Sequence, residues 1–105
     1  MKFKYNYLEN KLTRIDPNNP EYTYEIISQF QTGFGAQGFI LGEDHWITFT
    51  VYEKKIRVFY KKTLSNNEIN YYRQDFTKAD IISFEFTEED QIIKNEKGHW
   101  VKKTN

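Results

Sequence analysis

The residues whose spacing most invites chemistry are Gly33-Phe34-Gly35-Ala36-Gln37-Gly38, which fit the G-x-G-x-x-G pattern that cradles phosphates on backbone amides. A dinucleotide fingerprint needs a strand before that loop, a helix after it, and an acidic residue about twenty positions on to hold a ribose. Here the following segment, Phe39 to Thr50, reads as strand. A kinase-type glycine loop does lie between strands, but its downstream lysine, catalytic aspartate and metal-binding motif need a far longer chain. The segment is read as a flexible loop or bulge, with an anion or nucleotide site as the rival.

Other reactive side chains are isolated. His45 stands beside Glu43 and Asp44, and His99 stands alone near Trp100. Neither belongs to a His-x-His or His-Glu-x-x-His spacing, so no metal site is expected. Ser28, Ser65 and Ser83 lack a nucleophile-elbow context. Glu88 and Glu89 could divide acid and base roles only in a cleft that moves their pKa values apart; with Asp90 they read as a solvated turn. The absence of Cys removes thiol nucleophiles, Cys-based zinc sites and redox switching. No catalysis, cofactor or metal is expected.

Two patterns point to binding. Aromatic and basic residues interleave in Lys54, Lys55, Arg57, Phe59, Tyr60, Lys61 and Lys62, and Tyr71-Tyr72-Arg73 repeats the theme. Stacking platforms on a positive sheet are one way to hold single-stranded nucleic acid. Against that reading, 15 basic and 15 acidic residues give zero net charge, whereas phosphate neutralisation asks for a basic face. The second pattern is charge order. From Ile15 to Glu53 there are six acids and no Lys or Arg; Lys54 to Lys62 holds five bases and no acid; Thr63 to Glu96 holds three bases and eight acids. Such blocks arise when strands of opposite sign pair as neighbours, or when an acidic surface steers a basic partner into contact.

The elements that must position these residues are mostly strands. Phe3, Tyr5 and Tyr7 alternate with polar residues, the period-two signature of a strand with one buried face. Lys11 to Ile15 is read as its hairpin partner, and Asp16-Pro17-Asn18-Asn19-Pro20 as a turn. Asn19 and Pro20 fit the start of a helix running to about Gln31, with Tyr22, Ile26, Ile27 and Phe30 on one face and Gly33 as its carboxyl cap. The competing reading is a strand, because Tyr22, Tyr24 and Ile26 also alternate. On the helical reading Glu21 and Glu25 share a face at or beside Tyr22. Trp46 to Tyr52 and Lys55 to Tyr60 predict a central hairpin, Ile69 to Phe76 and Ile81 to Thr87 two more strands, and Gln91 to Ile93 with His99 to Lys102 a closing hairpin. A helical turn is placed at Thr77 to Asp80.

These elements predict a single domain over residues 1–105 of α+β class, mostly antiparallel β. It is a single curved sheet or small barrel-like meander of six to eight strands with at most one short helix over residues 20–31, or an all-β version of the same. Their order loosely resembles small bacterial pleckstrin-homology-like domains, without the carboxyl-terminal helix that plugs the sheet of those folds. An 18% aromatic share favours strands. The longest apolar run, Phe39 to Leu41, is far too short to span a membrane, and with no apolar leader at the amino terminus a cytoplasmic location is expected.

The leading expectation is a small non-catalytic interaction protein, of inhibitor or immunity type. It would cover a basic partner protein with Glu21, Glu25, Glu43 and Asp44 as acidic contacts and Tyr22 and Trp46 as aromatic anchors. The alternative is a module for single-stranded nucleic acid or another anion, using the hairpin at 54–62. Partner identity and oligomeric state are left open.

Overall fold

The computed structural model describes residues 1–32 and 35–103. Alternation of buried and exposed side chains builds two antiparallel sheets. The smaller contains β1 (Lys2–Asn6), β2 (Lys11–Ile15), β3 (Thr23–Ile26) and β9 (Ile81–Glu85), in the order β3-β2-β1-β9. The larger contains β4 (Gln29–Gln31), β5 (Gln37–Gly42), β6 (His45–Val51), β7 (Lys55–Thr63), β8 (Ile69–Thr77), β10 (Gln91–Lys94) and β11 (Trp100–Lys102). Its order is β11-β10-β8-β7-β6-β5-β4, a meander interrupted only where β9 crosses to the other layer.

The inner faces meet in one core. Phe3, Tyr5, Leu12, Ile82 and Phe84 come from the small sheet; Phe39, Ile47, Phe49, Ile56, Val58 and Tyr60 come from the large one. Tyr5 stacks on Phe49 with ring centroids 3.7 Å apart, and Phe49 meets Phe39 and Phe84 edge-on at 5.8 Å each. Edge-to-face and stacked rings add to the roughly 1.5–3 kcal/mol gained by burying each large apolar side chain. Burial pushes the Tyr5 hydroxyl up to about 12, so it stays a donor, and it gives its proton to Asn10 Oδ1 at 2.8 Å. Asn10 itself takes a left-handed conformation (φ 53°) in the β1–β2 turn. Its amide nitrogen donates to Gln29 Oε1 and Gln37 Oε1, both at 3.2 Å, tying this turn to the other sheet.

The structure corrects three expectations. Residues 20–31 form no helix: Tyr22 closes the Asp16–Tyr22 turn, β3 pairs with β2, and β4 pairs with β5. Tertiary pairing wins because Tyr22, Tyr24 and Ile26 alternate and β2 offers an open edge, so Glu21 and Glu25 never share a helical face. The carboxyl cap assigned to Gly33 lies outside the described residues. The sheet is double, because the chain changes layer at Ile27 and Ser28 after only four residues of β3, and again on either side of β9. Among the described residues eleven strands therefore replace six to eight, and the all-β alternative fits where α+β does not. Finally, Thr77 ends β8 instead of starting a helical turn; the one short helical segment described is a 3-10 turn at Glu88–Asp90.

The other expected strands and hairpins are present, including the closing hairpin, whose turn uses Gly98 at φ 79°. Among the described residues no α-helix is present, and no helix is long and apolar enough to cross a membrane.

Candidate functional site

Strand alternation fixes what the large sheet shows on its outer side. With Ile56, Val58 and Tyr60 turned to the core, Lys55, Arg57, Phe59 and Lys61 face away from it. Register then aligns a row across six strands: Ile40, Trp46, Lys61, Tyr71, Ile92 and Lys102 stand opposite one another in turn, with Ile92 itself buried. Five strand spacings of about 4.8 Å make this row roughly 24 Å long. A parallel row holds Phe30, Gly38, Thr48, Phe59 and Arg73.

Rings and cations alternate along this surface. Phe30 lies 5.4 Å from Trp46, the Lys61 ammonium sits 4.6 Å over the Trp46 ring, Tyr71 lies 4.7 Å from Trp100, and Lys94 sits 5.5 Å from the Trp100 centroid. Trp46, Thr48, Phe59, Lys61, Tyr71 and Trp100 line a shallow, mostly apolar hollow of about 260 Å³. Trp46 is 43% exposed. Both tryptophans of the chain therefore border one concavity.

The face is also strongly positive although the protein is neutral. On these strands Lys55, Arg57, Lys61, Arg73, Lys94 and Lys102 face outward against one acid, Asp75. Asp75 is occupied by a two-pronged pair with Arg57, at 2.9 and 3.2 Å, with Lys55 at 4.0 Å. The hydrogen bond from Arg57 holds the Asp75 carboxyl below its ordinary value of 3.8. A depressed carboxylate pKa adds stability above the ordinary value and loses it as pH falls through the folded-state value. Asp75 is 38% exposed, so the pair contributes no more than about 1 kcal/mol, present at neutral pH and gone in strong acid. Asp75→Asn is expected to cost little in urea unfolding at pH 7 while raising affinity for polyanions several-fold, because it leaves the face without a negative charge.

Gly38 shapes the edge of the platform. The Phe30 ring lies across it, so tightly that a Cβ at this position would collide with the ring. Phe30 in turn supports Trp46. Gly38→Ala is expected to destabilise by about 1–3 kcal/mol through overpacking, and the change in Trp46 emission would show the displaced ring directly.

The structure divides the residues singled out in the sequence. Of the basic-aromatic set, Lys55, Arg57, Phe59 and Lys61 share the outer face, Tyr60 and Lys62 turn inward, and Lys54 sits in the β6–β7 turn. Of the acidic-aromatic set, Glu21 and Tyr22 lie in the turn before β3, Glu25 stands opposite Thr13 on the small sheet, Glu43 and Asp44 occupy the β5–β6 turn, and Trp46 belongs to the outer face of the other layer. These six do not form one continuous surface. Gly35 to Gly38 lead into β5 within a strand-to-strand connection, with no helix following; Gly33 and Phe34 lie outside the described residues. Among the described residues no three His, Asp or Glu side chains gather closely enough to hold a metal ion. Glu88, Glu89 and Asp90 form the 3-10 turn, where the Asp90 carboxylate accepts hydrogen bonds from Thr87 and Gln74.

Phe30, Lys94, Trp100 and Lys102 were not singled out in the sequence. Their signal is register alone, since Phe30, Trp100 and Lys102 sit in three-residue strands and Lys94 ends a four-residue strand beside a turn.

No protein-family model matches this chain, and neither a curated protein nor a solved structure matches it. The site's own geometry carries the functional reading.

Proposed function

We propose that the protein is a non-catalytic binding module that holds single-stranded nucleic acid across the outer face of its seven-stranded sheet. The observation carrying this is the cross-strand alternation of rings and cations, Trp46, Lys61 and Tyr71 in register with Trp100 and Lys94 beside them. Bases stack on aromatic rings at about 1–3 kcal/mol each, and flanking cations follow the phosphates. The neutral total charge is no obstacle, because the six outward bases are segregated from most of the acids. The inhibitor-type reading needs Glu25 and Trp46 to touch one partner from opposite layers, which supports it less well.

The test uses the two tryptophans as reporters. Titration with a twelve-residue oligothymidylate at low salt is expected to quench their emission to saturation, with duplex DNA of equal length binding more weakly. Heparin binding without quenching by the oligonucleotide would reduce the face to a general anion surface and overturn the stacking mechanism. Absence of any binding to either, with capture of an acidic protein instead, would favour a protein partner. Trp46→Ala is expected to lower oligonucleotide affinity by about 1–3 kcal/mol, with little change in the urea midpoint.

A further inference from the structure

The two layers do not close on each other at the end where β1 begins. Two adjoining hollows open there, of about 340 and 320 Å³, and Met1 lines both. Phe3, Tyr60, Lys62, Tyr72 and Phe86 wall the first; Arg14 and His45 contribute to the second. Arg14 stands opposite the buried Phe3 in the small sheet, and Lys62 follows Tyr60 on the inner side of the large one. Inner positions of a two-layer sheet are ordinarily apolar, and charges turned inward are ordinarily paired. Among the described residues no carboxylate lies within ion-pair distance of either cation.

Further features give these cations a set of hydrogen-bonding neighbours. The Tyr60 hydroxyl and His45 Nδ1 are 2.9 Å apart. Burial, then the nearby Lys62 charge, lowers the His45 pKa, while burial raises that of Tyr60, whose hydroxyl also feels Arg14. Tyr60 and His45 thus share one hydrogen bond, its donor set by the imidazole tautomer. The acids that line these hollows, Glu43, Asp44 and Glu88, are exposed at the mouth, whereas Arg14 and Lys62 are half-buried.

We propose that this open end binds a small organic anion, a carboxylate or phosphate monoester with a flat apolar body, its head held by Arg14 and Lys62 and its body against Phe3, Tyr72 and Phe86. The site is separate from the outer face and does not depend on it.

Benzoate and phenyl phosphate carry the same ring with the two head groups, and benzyl alcohol is the neutral control. Each is titrated into the full chain while imidazole NMR signals are followed; the other histidine, His99, lies in the β10–β11 turn and serves as an internal reference. The expected result is a saturable shift at His45 with His99 unmoved, at least tenfold weaker binding of benzyl alcohol, and at least tenfold weaker anion binding in Arg14→Gln and Lys62→Gln. Lys4→Gln, on the exposed side of the small sheet, should bind as the parent does. The stronger of the two anions identifies the head group. The proposal is overturned by parallel shifts at both histidines, by equal binding of the neutral alcohol, or by folded Arg14→Gln and Lys62→Gln variants of unchanged affinity. The first two outcomes are read on the unmodified protein and hold even where a variant fails to fold.

Discussion

Replacing Lys61, Arg73, Lys94 and Lys102 together by glutamine is expected to weaken binding to a single-stranded oligonucleotide about a thousandfold at 0.1 M salt, through lost counterion release. These four cations flank the rings of the outer face and, among the described residues, have no carboxylate within ion-pair distance. For single strands each phosphate contact adds about 0.7 to the slope of log affinity against log salt, so four contacts lower that slope by nearly three. Glutamine removes the charge while keeping a polar side chain and the strand pairing, and the replaced charges lie outside the core, so the urea midpoint should barely move. Affinity and slope both unchanged would remove the outer face from any role in binding phosphate. An affinity loss with the slope intact would mean that the side chains act through packing and not through charge.

The second large effect concerns stability. Phe49→Ala is expected to cost about 3–5 kcal/mol in denaturant unfolding, the range for removing a buried aromatic ring. Phe49 is 1% exposed and touches Tyr5, Phe39 and Phe84, so it joins rings from both sheets. A domain of this size has a total stability of about 5–15 kcal/mol, so the variant should be close to unfolding at 37 °C. The contrast with Trp46→Ala is the informative comparison: one ring fastens the layers together, and the other is free to contact a ligand. A loss below about 1 kcal/mol at Phe49 would mean that the layers are held mainly elsewhere.

Alternation made most strands legible before any coordinates. Phe3 and Tyr5, Ile56 and Val58, and Ile82 and Phe84 mark their own buried faces, and all six reach the core. The failure at residues 20–31 has a local cause. β3 and β4 have only four and three residues, too short for period two to outweigh a helical reading, and the break at Ile27–Ser28 shifts the phase between them. Layering was hidden for a related reason, because nothing in the local pattern of β9 says that it pairs with β1, some 75 residues earlier in the chain. The candidate site was half visible. Lys55, Arg57, Phe59 and Lys61 are consecutive outward positions of one strand, whereas Trp100 and Lys94 reach the same surface only through the pairing of β10 with β8.

The order of the large sheet also bears on how the protein avoids sticking to itself. Its nine-residue β7 is paired on both sides, by β6 and β8, whereas β8 is paired by β7 along its whole length and by β10 only at Tyr71 and Tyr72; the rims are formed by β4 and β11, three residues each. A rim that short offers an incoming chain only a few unpaired amides, and Lys102 and Lys103 add like-charge repulsion at one of them. A protein this rich in tyrosine and phenylalanine thereby keeps β7, one of its two longest templates for fibril growth, out of reach of its neighbours.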